Sequence, residues 1–321
     1  MKKIAALAGL LLAVCSINAF ALFDVQYYGV RALGMGQAFT AVADDASAPM
    51  YNIAGTGFFD RAEIAGMSSR LFAGEEGINM ATNFLGAVVP LSRDRLYGTL
   101  SAGWGNFQDL GLRAENIVYL GYSRHLNDVF SSDLFEISVG ANFKYLQQKV
   151  DESEASSSTL HGMGTGYISQ DAFAFDIGIL VNFANGVSAG YSGKYLNSPD
   201  IAFYGDTYGG DRIQTHHVIG LSYFDEMLPF LKLPNFTIAA DVEIRENDNI
   251  FMFGAETKIN IATSLLAIRA GGWKEQLSFG AGYMFPFGNG NHLSVDYAFL
   301  LPLEIQETIG SHFFGLSYKF R

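Results

Sequence analysis

Leu293-Ser294-Val295-Asp296-Tyr297-Ala298-Phe299 is the stretch on which the fold turns. Every odd position is apolar or aromatic, and every even one is small or charged. Successive side chains of a β-strand point to opposite faces, so a strand here has one greasy face and one wet face. A soluble sheet would need a second layer over the greasy face. A membrane barrel turns that face to lipid and lines its lumen with the other.

The same alternation recurs outward from this stretch. Strands are predicted at 61–72, 79–89, 95–104, 114–124, 134–147, 170–183, 187–195, 214–224, 235–245, 250–260, 264–273, 276–285, 291–300 and 310–320. In the fifth, Phe135, Ile137, Val139, Ala141, Phe143 and Tyr145 oppose Glu136, Ser138, Gly140, Asn142 and Lys144. Across the set, Asp176, Asp241, Glu243, Glu256, Lys258, Arg269, Asp296 and Lys319 fall mid-strand on the wet face. A secreted two-layer sandwich is the alternative, but it would have to solvate these charges while burying the greasy faces. A barrel does both, and closure removes edge strands that would otherwise aggregate. The predicted fold class is all-β, a transmembrane antiparallel β-barrel of about 14 strands over residues 61–321. These charges are its predicted lumen-facing residues, and outer-membrane lipid is its predicted surroundings.

Beyond the N-terminus no stretch reaches the ~18 uninterrupted apolar residues of a membrane helix. With 49% hydrophobic residues, the chain must carry its grease on strands. Residues 1–21 read as a signal peptide. Met1-Lys2-Lys3 is the positive start, Ile4 to Val14 the apolar run, and Ala19-Phe20-Ala21 the cleavage site. A short buried helix is one alternative. A lipoprotein signal built on Cys15 is another, although Val14 stands where a small residue is wanted. Cys15 is the only cysteine, so a mature chain from Leu22 carries no disulfide framework and no thiolate metal site. Loss of Lys2 and Lys3 takes the basic count from 20 to 18 against 32 acidic residues, a net charge of −14. Such a surface is not expected to bind nucleic acid or an anionic membrane face by charge, so nucleic acid is not a predicted partner.

Asn185-Gly186 and Phe287-Gly288-Asn289-Gly290-Asn291 read as tight turns. The long polar stretches 148–169 and 196–213 fall at connections of the same parity and are predicted to lie outside the cell, with both termini in the periplasm. Asp225 to Pro234 is long and apolar for a periplasmic connection, fitting an interfacial helix, a partner contact or a loop packed on the rim.

Catalytic signatures are missing. There is no Gly-x-Ser-x-Gly and no His-Glu-x-x-His, and Gly162-Met163-Gly164-Thr165-Gly166 lacks nucleotide-loop spacing. His216 and His217 are strand neighbours that point opposite ways. Asp206 and Asp211 could hold Ca²⁺ or simply be solvated. Asp241 and Glu243 share a face, but Arg245 and Lys258 nearby favour structural ion pairs. No enzyme activity, metal or cofactor is predicted.

Residues 24–60 do not alternate. Gly29 to Ala43 is rich in small residues, Asp44-Asp45 offers an N-cap for a short helix from Ala46, and Asn52-Ile53-Ala54-Gly55 would end it. A compact, apolar segment ahead of a barrel is predicted to fill the lumen as a plug over residues 22–60, with Arg31 paired to a wall carboxylate. Within it, Arg31-Ala32-Leu33-Gly34-Met35-Gly36, Ala38-Phe39, Ala41 to Ala48 (with Asp44 and Asp45), Asn52 and Ala54-Gly55 resemble the N-terminal signature of the FadL-like outer-membrane superfamily. The last two strands are similar to the PorV/PorQ branch. The chain departs in having Asn52-Ile53-Ala54-Gly55 where Asn-Pro-Ala-Gly is common, and in ending on Arg321 after Phe320. The resemblance implies a Gram-negative-type outer membrane, a hatch that includes Arg31, Gly34, Gly36, Asp44, Asp45, Asn52 and Gly55, and passage of fatty-acid-like hydrophobic molecules. The PorV/PorQ alternative implies a type IX secretion component that receives secreted cargo. Either implies the outer-membrane assembly machinery as a partner, with Phe320 the aromatic presented to it.

Overall fold

The computed structural model describes residues 28–74, 79–109, 112–130, 132–151, 167–202, 212–228, 232–246, 248–274, 276–288, 290–303 and 308–321. The signal-peptide span, the glycine-rich run 162–166, Asp206 and Asp211 lie outside them. The first strands are β1 (Glu63–Arg70), β2 (Met80–Pro90), β3 (Thr99–Asp109), β4 (Arg113–His125), β5 (Phe135–Asp151), β6 (Tyr167–Phe183) and β7 (Val187–Lys194). There follow β8 (His216–Leu228), β9 (Leu233–Ile244), β10 (Asn249–Ile261), β11 (Ser264–Trp273), β12 (Gln276–Phe287), β13 (Asn291–Pro302) and β14 (Ser311–Lys319). Each pairs antiparallel with its sequence neighbours, and β1 pairs β14 from Glu63↔Lys319 to Arg70↔His312, closing the barrel. Among the described residues no helix is long and apolar enough to cross a membrane.

The two faces separate by alternation. Phe143, Phe175, Phe253, Val295 and Leu316 are exposed on the outside, while Lys144, Asp176, Asp241, Glu256 and Arg269 are buried inside. Following one register row around the outside gives the height of the apolar surface. It runs Asp225↔Phe236↔Thr257↔Ile268↔Ala281↔Tyr297↔Phe314↔Ser68 from β8 to β1. It continues Asn83↔Asn106↔Asn116↔Gln147↔Asp171 to β6. Strands ~4.8 Å apart and tilted ~40° make such a row climb about 3 Å per strand. Asp225 is at the end of the barrel where β1 begins and β14 ends, the near end, and Asp171 is at the far end. Between Asp225 and Ser68 the row is apolar or aromatic except for Thr257, whose hydroxyl donates to the Pro234 carbonyl at 2.7 Å, and the Tyr297 hydroxyl bonds His312 Nδ1 at 2.7 Å. That interval spans about 21 Å, close to the ~25 Å apolar band of a membrane barrel. Above it the polar side chains bond each other, Ser68 to Asn83 at 2.8 Å and Asn106 to Asn116 at 3.1 Å.

Several boundaries differ from those predicted. β3 starts at Thr99, not 95, because Arg95 and Gly98, both at positive φ, turn the chain. β5 and β6 run into the stretch 148–169, pairing as far as Asp151↔Tyr167. β8 and β9 continue to Leu228↔Leu233, so most of the expected 225–234 connection is strand. Ladder bonds satisfy backbone groups there that a loop would leave to water. Residues 229–231 lie outside the described set.

The segment before the barrel forms α1 (Val30–Gly34), α2 (Ala48–Tyr51) and a 3-10 turn (Ile53–Phe58). α2 starts later than Ala46. The Asp45 carboxylate accepts from Ser47 N–H at 2.9 Å and the Ser47 hydroxyl at 2.5 Å, which leaves Ser47 as the cap and Pro49 in the first turn. Proline is tolerated there because the N–H it lacks has no helical partner. Almost every residue from Tyr28 to Gly57 is buried, against inward-facing positions of the wall.

Candidate functional site

The segment 28–59 meets the wall through close backbone approaches and through polar bonds. At Gly36, with φ of 61°, an added Cβ would stand 2.2 Å from the Gly272 nitrogen on β11. At Gly34 a Cβ would stand 3.2 Å from the Gly280 Cα on β12. At Gly36 only glycine allows the contact, because a side chain would push segment and wall apart, while at Gly34 a Cβ would fit only if the wall gave by a few tenths of an ångström. Gly55 turns inside the segment itself, against the Ala43 carbonyl. Asn52 Nδ2 donates to the Thr40 carbonyl at 2.9 Å and to the Ile179 carbonyl of β6 at 3.0 Å, while its Oδ1 accepts from Ala54 N–H.

Arg31 is the centre of an ion cluster. Its Nε and Nη2 donate to the two Glu256 carboxylate oxygens, each at 2.8 Å. Its Nη1 contacts Asp44, with Asp45 at 3.8 Å. Glu256, fully buried at its side chain, also accepts from Arg269 Nε at 2.6 Å and pairs Lys258 at 3.1 Å. Arg269 in turn donates to Asp296 at 2.6 Å. Two arginines on one buried carboxylate make the two-point, charge-assisted geometry that fixes orientation as well as strength. Burial pushes the Asp45 carboxyl above its usual range, and Arg31 and the Ser47 bonds only partly reverse this.

A second group lies on β5 to β9. Lys144, wholly buried, pairs Asp176 at 2.6 Å and lies over the Tyr195 ring. Asp176 also accepts from Tyr195 N–H at 3.0 Å. Glu243 accepts from His216 Nδ1 and Arg245 Nε, each at 2.8 Å, while the neighbouring His217 faces outward and bonds the Tyr191 hydroxyl. These ion pairs run from wall to wall. Asp241 is different. Its Oδ2 accepts from the Phe39 and Thr40 N–H groups at 3.0 and 2.8 Å, holding the segment's backbone.

Three further wall contacts to the segment went unmarked in the sequence. Asn142 donates to the Pro49 carbonyl at 2.6 Å, Ser222 to Ala41 and Ser278 to Gly34. Their inward parity was readable, but nothing in one strand says which backbone will lie opposite. Among the described residues no group of three or more His, Cys, Asp and Glu side chains is arranged to hold a metal.

The lumen is lined unevenly. Toward the far end, Phe84, Leu146, Met252, Trp273, Leu300 and Phe313 belong to one buried apolar cluster with Tyr28, Leu33 and Phe39 of the segment. At the near end a cavity of about 250 Å³ opens among Arg31, Asp44, Glu63, Lys258, Asp296 and Lys319.

These features define a class: a closed, 14-stranded antiparallel barrel with a lipid-height apolar belt and chain inside its lumen. No protein-family model matches the chain, and no curated protein matches it in sequence. Solved structures share its fold. The toluene transporter TbuX of Ralstonia pickettii aligns with a TM-score of 0.59 at 10% identity, over 94% of this chain and 100% of that one. The CymD monoaromatic hydrocarbon channel gives 0.56 at 10% identity, over 91% and 98%. The toluene transporter TodX of Pseudomonas putida gives 0.54 at 11%, over 93% and 99%. All three are named as channels or transporters. At such identity the likeness establishes the fold.

Proposed function

We propose that this chain is a FadL-like outer-membrane barrel of a Gram-negative-type bacterium. It passes hydrophobic small molecules, of the monoaromatic-hydrocarbon or fatty-acid-like class, past residues 22–60 acting as a hatch. The observation that carries this is the uneven attachment of the segment. One side of it is tied to the wall by the Arg31–Glu256 cluster, and another packs on the apolar lining at the far end. An apolar ligand gains little from a wet pore. Against an apolar lining it gains about 25 cal/mol for each Å² removed from water. The ion cluster then acts as a discrete catch on the segment that stands in the ligand's way. The names of the structural neighbours support the same substrate class. The PorV/PorQ-like secretion reading has no support among them.

Deleting residues 28–55 and recording single-channel conductance in planar bilayers tests the hatch, and toluene uptake by proteoliposomes tests the transport. The truncated barrel is expected to conduct at least tenfold more than the intact one. Unchanged conductance from a folded, truncated barrel would end the hatch reading. An intact barrel that takes up no toluene and no fatty acid would end the transport reading.

A further inference from the structure

The lipid belt has an irregular stretch at the near end. β3 begins at Thr99 and β4 ends at His125, while β5 starts lower, at Phe135. Leu100, six residues below Asn106 on β3, lies about 15 Å lower on the tilted strand, or about 12 Å above the level of Asp225. The belt below it must be made by connections rather than strands. The connections present suitable side chains: Leu91, Leu96 and Tyr97 before β3, and Val129, Phe130 and Leu134 after β4, each about half exposed or more. Tyr122, next to Leu100 on the outside, bonds the Tyr97 carbonyl at 3.2 Å, so the exposed apolar surface is continuous from strand to connection.

Behind this apolar edge is a polar cavity of about 400 Å³, lined by Asp60, Arg93, Asp94, Arg95, His125 and Glu136 among others. Most of its charges are engaged. Asp60 faces Arg61, Asp94 accepts from Leu96 N–H in its own turn, Asp128 pairs Arg124, and Glu136 accepts from Asn127. The arginines are not engaged in the same way. Arg93 has only the Arg321 carbonyl at 3.4 Å, and Arg95 has no side-chain bond or ion pair among the described residues. His125 is 8% exposed, and its Nε2 has no hydrogen-bond partner, with Glu136 at 3.8 Å. The Asn127 Oδ1 beside it is also buried and unpartnered. A buried polar atom without a partner is unfavourable, and a ligand that supplies the partner removes that cost.

We propose that this cavity holds the headgroup of a zwitterionic phospholipid of the inner leaflet, a phosphoethanolamine. The phosphate meets Arg93 and Arg95, and the ammonium meets Glu136 and the free Asn127 oxygen. The acyl chains lie along Leu96, Tyr97, Val129 and Phe130. Guanidinium groups suit phosphate oxygens, and the carboxylates, which would repel a purely anionic headgroup, suit an ammonium. The cavity's height, at the lower edge of the belt, is where such headgroups sit. The proposal rests on the membrane-spanning reading and not on transport.

Native mass spectrometry of the full-length barrel in detergent tests it, with phosphatidylethanolamine, phosphatidylglycerol or free O-phosphoethanolamine added. One phosphatidylethanolamine should be retained at least tenfold more strongly than phosphatidylglycerol. R93A/R95A should lower its occupancy at least tenfold, while R212A, exposed at the far end, should leave it unchanged. Heat-modifiable gel mobility identifies folded barrel. Should R93A/R95A not fold, E136Q decides, by lowering the preference for phosphatidylethanolamine over phosphatidylglycerol. Equal retention of both lipids, an unselective annulus, overturns the proposal, as does unchanged binding in a folded variant. Free phosphoethanolamine binding as tightly as the lipid overturns the role of the apolar edge and assigns the cavity to a soluble ligand. Toluene uptake, measured on the same preparation, reports on the transport reading separately.

Discussion

The strand wall and the segment inside it are held by different means. The wall is repetitive. Each strand contributes the same in-out alternation, and neighbouring strands share registers of up to seventeen pairs, as between β5 and β6. The segment has no repeat. It is placed by a few contacts: Arg31 on Glu256, Asp241 on the Phe39 and Thr40 N–H groups, Asn52 on Ile179, and glycine against glycine. A wall built by repetition should respond to a substitution according to its face and height. A segment held by single contacts should respond according to which contact is lost. The two regions can therefore be perturbed apart.

The largest effect is expected in the wall. Val295 is exposed on the outside and lies about 10 Å above the level of Asp225, near the middle of the belt. V295R should cost about 4 kcal/mol, the upper end for a lipid-facing arginine at the midplane. Urea-dependent refolding into liposomes, followed by heat-modifiable mobility, measures it. S294N, on the adjacent inward position, should be mild. Equal damage from both would undo the face assignment.

R31Q should cost about 3 kcal/mol, the low end for breaking a buried pair, because Glu256 keeps Arg269 and Lys258. The loss should appear as more frequent open-channel events and faster proteolysis near residue 31, with the wall's melting unchanged. K144Q is its control. It leaves Asp176 buried without its cation, so it should lower the melting temperature and leave conductance alone. If K144Q opens the channel as readily as R31Q, the separation of wall from segment is wrong. D241N should cost less, about 2 kcal/mol, since two N–H bonds persist but lose their charge assistance. Hydrogen exchange at Phe39 and Thr40 should speed up about thirtyfold, the rate equivalent of that energy.

This contrast also sets what could be read in the sequence. Alternation is a local pattern with a period of two, so fourteen strands and their outward faces were legible residue by residue. Strand ends were legible only where the alternation has contrast. Inward Gln148 and outward Lys149 are both polar, because β5 has already risen out of the belt, and the extension to Asp151 left no trace. Inward charge was legible, but partners were not. Whether Glu256 meets Arg31, Arg269 or Lys258 depends on register and on the path of a segment 225 residues away, and no single-strand pattern encodes either. The start of α2 was misjudged for a local reason, since Asp45 spends its carboxylate on Ser47 instead of capping a helix at Ala46.

The smallest effect separates alternation alone from alternation combined with height. Phe175 alternates as cleanly as Val295 and is equally exposed, 49% against 50%. Alternation alone therefore predicts the same damage from arginine at either site. The register row predicts otherwise. Asp171 stands twelve strand steps along the row from Asp225, about 36 Å higher, and Phe175 lies about 10 Å below Asp171 on the same strand. That places Phe175 at the outer edge of the belt, where a lipid-facing arginine costs only about 0–1 kcal/mol. Its ring also packs against Phe143 at 5.3 Å, a contact worth about 1 kcal/mol that F175L would remove without adding charge. F175R and F175L should thus destabilise the barrel by similar, small amounts, several-fold less than V295R, in the same refolding assay. A cost for F175R equal to that of V295R would mean that the belt does not follow the row, and with it would go the height at which the phospholipid cavity has been placed.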